Sequence, residues 1–139
     1  MPTQPDNVSY NKAAIIERAL RRVRQEYEQD PELSDLTHTD ALTLNLERAC
    51  QAAIDLSLHV VAVKHLGMPQ RSAESFSLLH NAGLLTAETT RAMVAMTGFR
   101  NIAVHEYQEL DPAILRRIAE HDWKHLVTFC RELGITIQP

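Results

Sequence analysis

The stretch between residues 40 and 65 constrains the fold more than any other part of the sequence. Leu42, Leu46, Ala49, Ala53, Leu56, Val60 and Val63 recur at alternating steps of four and three, the period of a helix that keeps one apolar seam along its length. A second apolar stripe, Cys50, Ile54, Leu58 and Val61, runs beside the first. A helix apolar over so wide an arc must be covered on more than one side, which places it centrally in a helical bundle. The polar residues left on it are Asn45, Arg48, Asp55 and His59, with Gln51 adjacent. They read as a solvent-facing edge or as side chains that hydrogen-bond to a site. Thr39 or Asp40 is the expected N-cap, and Gly67-Met68-Pro69 closes the helix.

The partners of that helix follow from the same periodicity. Over residues 8 to 29, Ile16, Leu20, Val23 and Tyr27, widened by Ile15 and Ala19, predict an amphipathic helix that Asp30-Pro31 ends. Ser72, with Glu74 and Ser75 nearby, starts a short helix carrying Phe76, Leu78 and Leu79 that stops near Asn81-Ala82-Gly83. Thr86 caps a fourth helix through Met93, Met96 and Phe99, interrupted only by Gly98, which permits a close helix approach or a bend. Asp111-Pro112 opens the last helix, with Leu115, Ile118, Trp123, Leu126, Phe129 and Leu133 on one stripe and Gly134 at its end. The tail Ile135-Thr136-Ile137 stays unassigned. The expectation is an all-α bundle of four long helices and one short one, a single domain over residues 1–139.

Four glycines and six prolines leave little room for a turn-rich β fold. Cys50 and Cys130 stand far apart in apolar stretches, without metal or redox spacing, and read as core residues in a reducing compartment. The N-terminus lacks a signal-peptide pattern and no apolar run is long enough to span a membrane, so the expected location is cytoplasmic. A net charge of -4 argues against non-specific coating of nucleic acid. Charge is uneven, however. Lys12, Arg18, Arg21, Arg22 and Arg24 oppose only Glu17, and the acidic run Glu26, Glu28, Asp30, Glu32, Asp35 and Asp40 follows. The basic helix reads first as a solvated face and second as a phosphate-binding patch; Arg18, Arg21 and Arg22 become RNA-binding candidates only if the chain acts on RNA.

Residues 97 to 110 hold the one dense cluster of reactive groups: Arg100, Asn101, His105, Glu106 and Tyr107, in the spacing Arg-x4-His-x-Tyr. An arginine near a histidine is most useful on a phosphodiester, and RNA carries its own nucleophile. A neutral imidazole can take the 2′-OH proton while a planar guanidinium matches the charge of the phosphorane, giving a 2′,3′-cyclic phosphate and a 5′-OH without a metal. In a continuous helix, though, Arg100 and His105 point about 140° apart and sit about 7.5 Å apart along the axis. Either the helix breaks between Ile102 and His105, or the site is assembled from more than one copy of the motif. A two-fold dimer would supply the base, the acid and two arginines in one cleft. The same residues can also make ordinary helix-end contacts. His121 and His125, four apart with Asp122 between, have a spacing that can hold a metal, but no third ligand is placed and a solvated face is the expectation.

The stretch Gly98-Phe99-Arg100-Asn101-Ile102-Ala103-Val104-His105-Glu106-Tyr107 resembles the Arg-x4-6-His-x-Tyr signature of the HEPN superfamily. With Glu47-Arg48-x-x-Gln51-x-x-x-Asp55, the short third helix and Asp111-Pro112, nearly the whole chain is similar to the HepT-type toxins of that superfamily. The resemblance implies a homodimeric, metal-independent endoribonuclease toxin with no cofactor, in which Arg100 and His105 are catalytic and Asn101 supports them. It also implies a partner, an MntA-like nucleotidyltransferase antitoxin that attaches AMP from ATP to Tyr107. An adenylate there would add charge and bulk where RNA phosphate must bind. The alternative expectation is a non-catalytic module that binds a nucleotidyltransferase.

Overall fold

In the computed structural model, which describes residues 4–105 and 110–139, every regular element among the described residues is helical. Helix α1 spans Asn7–Gln29, with Asp6 as its N-cap accepting from the Ser9 N–H at 2.9 Å. That N–H, and after it the His59 imidazole, hold the Asp6 carboxyl at about 2. Helix α2 spans Leu36–Val63 and lies antiparallel to α1: His59 meets Asp6 at 2.7 Å, Lys12 meets Asp55 at 3.8 Å and His38 meets Glu26 at 2.5 Å. Helix α3 spans Ser72–Asn81, α4 spans Ala87–His105 and α5 spans Pro112–Arg117. The chain then passes through a π turn at Ile118–Asp122 and continues as α6, Trp123–Glu132.

The central position expected for α2 holds. Leu42, Leu46, Ala49, Ala53 and Leu56 of the seam are buried, as are Cys50, Ile54 and Val61 beside it. Val63, where the helix leaves the bundle, is exposed. Two differences concern its ends and edge. The helix begins a turn earlier than Thr39 or Asp40, because Asp35 is the N-cap, accepting from the Thr37 N–H at 2.8 Å. Asp35 is itself anchored, its N–H donating to Asp30 Oδ2 at 2.8 Å. This first turn exposes Leu36, so no apolar period announced it. The polar residues of α2 form a rim rather than a bare edge, Gln51 donating to Asp55 and the buried Asn45 to the Ala41 carbonyl.

Three contacts fix the remaining helices. The Ser57 and Ser75 hydroxyls, both buried, join α2 to α3 at 2.7 Å. Phe76 of α3 and Phe129 of α6 meet edge to face with centroids 5.6 Å apart, a geometry that adds about 0.5–1.5 kcal/mol to their burial. Glu132 at the end of α6 accepts from the Thr89 hydroxyl at 2.6 Å and the Thr86 N–H at 2.8 Å, so α4 starts where α6 stops. Gly134, at φ 93°, turns the chain out of α6. The tail left unassigned by sequence lies along α1: Ile135 and Ile137 are buried, and the Gln138 N–H donates to Glu17 at 2.7 Å.

The last helix departs from a single apolar stripe. Leu115, Ile118, Leu126 and Phe129 are buried, but the π turn shifts the register and leaves Trp123 half-buried. His121 and His125 sit near Glu120 and Asp122 at 3.7 and 3.8 Å, and no group of metal-holding residues forms among the described residues. Among the described residues no helix is long and apolar enough to cross a membrane.

Candidate functional site

The site is built on the C-terminal half of α4. Thr86 opens the helix, its hydroxyl accepting from the Thr89 N–H at 3.2 Å. Met93, Met96, Phe99 and Ala103 turn inward, and Thr97 is buried with its hydroxyl donating to the Met93 carbonyl at 3.1 Å. The opposite face is open, with Val94 at 39% exposure, Ile102 at 41%, and Asn101 and Gly98 exposed. A Cβ added at Gly98 would meet nothing within 4 Å, so no neighbour inside the described residues requires a glycine there.

Arg100 sits between the two faces, half-buried. Its Nη1 donates to Asn101 Oδ1 at 3.0 Å, the only hydrogen-bond partner of this guanidinium among the described residues. Its charge reaches the buried Cys50 thiol on α2, where it opposes the rise that burial imposes. Among the described residues, a guanidinium with five donors and this one neutral partner leaves most of its donors open. Asn101, expected to support the catalytic pair, is the neighbour that accepts from Arg100.

Helix α4 runs unbroken through His105. The break between Ile102 and His105, one of the two ways the motif could converge, does not occur. The side chains of Val104 and His105, and residues 106–109 with Glu106 and Tyr107, lie outside the described residues.

The basic half of α1 divides by partner. Arg18 is exposed and makes no hydrogen bond or ion pair among the described residues. Arg22 pairs with Glu26 at 2.6 Å, and Arg21 donates to the Gln138 carbonyl at 3.3 Å. Arg24, which sequence placed in the basic run without a role, lies 4.5 Å from the centroid of the Trp123 ring and donates to the Pro139 oxygen at 2.6 Å. No spacing signal links positions 24, 123 and 139, because only the tertiary fold brings them together. A cavity of about 440 Å³ lies at the other end of α4, between His59, Leu84 and Leu133, away from the motif.

Residues 14–133 match the protein family described as Ribonuclease HepT-like. The mRNA nuclease HepT of Shewanella oneidensis is 38% identical over 125 residues, covering 89% of this chain and 92% of that protein. The tri-AMPylated Shewanella oneidensis HEPN toxin, solved in complex with MNT antitoxin, is similar in fold with a TM-score of 0.88 and 35% identity, over 93% of this chain and 98% of that one. A toxin–antitoxin crystal structure with AMP-PNP gives a TM-score of 0.87 at 35% identity, over 92% of this chain and 98% of that one.

Proposed function

The chain belongs to the Ribonuclease HepT-like family, and we propose that it is the toxin of a toxin–antitoxin pair, a single-domain endoribonuclease acting in the cytoplasm as a homodimer. The observation that carries this reading is the placement of Arg100: a half-buried guanidinium, bonded to Asn101 and to no other partner among the described residues, on an unbroken helix whose outer face is open.

Because α4 stays helical to His105, one copy directs Arg100 and His105 about 140° apart. Two copies packed through Val94, Gly98 and Ile102 would bring both motifs to one cleft. There His105 takes the proton of a ribose 2′-OH, the 2′-oxygen attacks phosphorus and the bond to the 5′-oxygen breaks. The partner subunit's His105, protonated, supplies the proton to the leaving oxygen. Arg100 donates to the non-bridging oxygens as charge builds on them. The nucleophile is the substrate's own hydroxyl, so the step asks for no metal. Arg18 is the freest of the RNA-binding candidates, with Arg21 and Arg22 already partnered within the chain.

Control falls to Tyr107. A nucleotidyltransferase antitoxin similar to MntA would transfer AMP from ATP to its hydroxyl, releasing pyrophosphate and setting a phosphate two residues from His105. The AMPylated relative in complex with its antitoxin supports this part of the reading.

The test is cleavage of RNA by the purified chain in EDTA. His105→Ala is expected to abolish cutting with helical content unchanged, and Arg100→Ala to lower kcat by about 10²–10³. A His105→Ala protein that cuts like wild type would remove the assignment of the base. A wild-type chain that neither cuts RNA nor arrests growth would instead be a non-catalytic binding module.

A further inference from the structure

A second recess lies away from the motif, where the C-terminal half of α1 faces the π turn and the tail. It encloses about 430 Å³, within the range of about 300–1,000 Å³ typical of small-ligand sites, and Arg21, Arg24, Gln25, Ala119 and Gln138 are among its walls. Its two arginines are held in place. The Arg24 guanidinium carbon lies over the Trp123 ring, 4.5 Å from its centroid, and the group donates to the Pro139 oxygen at 2.6 Å, while Arg21 donates to the Gln138 carbonyl at 3.3 Å. Each of these hydrogen bonds uses one of five guanidinium donors; Arg21 also lies 3.9 Å from the Glu17 carboxylate, and the donors not so engaged are open to an anion. A guanidinium backed on one side by an aromatic ring also presents its other plane, the kind of surface on which an unpaired base stacks.

The local backbone points the same way. Trp123, on which the recess's Arg24 lies, directly follows the stretch Ile118–Asp122 where the last helix departs from α geometry, and such π turns are rare and frequently found at functional sites. Lys124, 5.8 Å from the same ring, adds a second cation. Glu28 also lines the recess and can accept from a base amino group or a ribose hydroxyl.

We propose that this recess anchors one nucleotide of a single-stranded RNA, its phosphate on Arg21 and Arg24 and its base against the Arg24 plane that Trp123 supports. No described residue of the motif lines this recess, so the anchor is distinct from the cleavage motif. The site therefore selects how a strand is held rather than how it is cut. The proposal rests on the reading of the chain as an RNA-cutting enzyme.

The test compares the full chain with its Arg24→Ala and Arg24→Lys variants, in kinetics and, on a His105→Ala background that leaves RNA whole, in binding of a labelled single-stranded RNA. Arg24→Ala is expected to weaken binding about tenfold or more and to lower the salt slope by about one. Arg24→Lys should keep the slope yet still bind more weakly, because an ammonium offers no plane to a base. In the cutting enzyme, KM should rise with kcat unchanged. Unchanged Kd and KM in Arg24→Ala, or a lower Tm with unchanged affinity, would overturn the proposal and leave the nuclease reading intact. AMP competing as tightly as the strand would overturn it too, assigning the recess to a free nucleotide. Binding that depends on Arg24 in a chain that cuts no RNA would do the reverse, sinking the nuclease reading and keeping the anchor.

Discussion

Burial sets the reactivity of Cys50 and Cys130. Removal from water pushes both thiols up to about 12; at Cys50 the Arg100 charge opposes the rise and Glu47 adds to it, and at Cys130 Glu17 adds to it. Since the thiolate is the nucleophile, neither cysteine should react with Ellman's reagent in the folded protein near pH 8, and both should react once it is unfolded. Fast labelling of the native chain would contradict the packing described for α2 and α6. At His38 burial acts the other way, lowering the pKa, but the hydrogen bond to Glu26 outweighs it and raises the pKa above the ordinary 6.5, with the charges of Glu26, Asp35 and Asp30 adding to the rise. A raised imidazole pKa contributes stability that is complete below about 6.5 and fades as pH climbs through the folded value. The Tm difference between wild type and His38→Gln should therefore shrink from about pH 6 to about pH 9. A constant difference would show that the pair contributes nothing by titration. At this scale the sequence identified both cysteines as core residues from their place in apolar periods. It could not pair Glu26 with His38, since the contact depends on how α1 turns into α2.

Among the elements, α2 shows where periodicity reads well and where it stops. The seam from Leu42 to Val60 was legible because each member is buried against a neighbour. The first turn was not, because Leu36 faces water at 76% exposure and the cap is Asp35, a turn before the Thr39 or Asp40 that the sequence offered. Asp35→Ala should destabilise the protein by about 1 kcal/mol, lowering Tm by about 2–4 °C in a chain of this size. Substituting Asp40, already inside the helix, should have a smaller effect, and thermal melts of the two variants separate the assignments. The last helix failed differently: Leu115, Ile118, Leu126 and Phe129 fit an ordinary helical stripe, and a π turn leaves such a pattern nearly intact while moving the intervening residues. The tail was opaque because two buried isoleucines, Ile135 and Ile137, are too short a signal to assign without the surface of α1 against which they pack.

For the whole molecule, the motif was visible in sequence as a cluster of reactive groups, of which the structure describes the Arg100–Asn101 contact. What one chain could not reveal is what completes it, since completion depends on a surface and its occupant. If α4 is the dimer face, Ile102→Glu should shift the protein toward monomer in sedimentation and cut RNA far more slowly, with helical content preserved. A dimeric, fully active Ile102→Glu protein would place the subunit contact elsewhere. Gly98→Ala gives the complementary reading. Among the described residues the added methyl meets nothing within 4 Å and should raise helix stability by about 1 kcal/mol, so a loss of dimer with an unchanged or higher Tm would come from the partner's approach and not from misfolding.

The π turn also carries a consequence for chain length. Helical continuity through Ile118–Asp122 would survive the deletion of one residue, because the turn can rewind into regular α-helix. Everything beyond would keep nearly its present orientation relative to α5, because the five residues of the wider turn sweep about the same angle as four residues of α-helix. A one-residue deletion in this segment, ordinarily fatal to a packed helix, would here remove the bulge and leave the packed face of α6 in register.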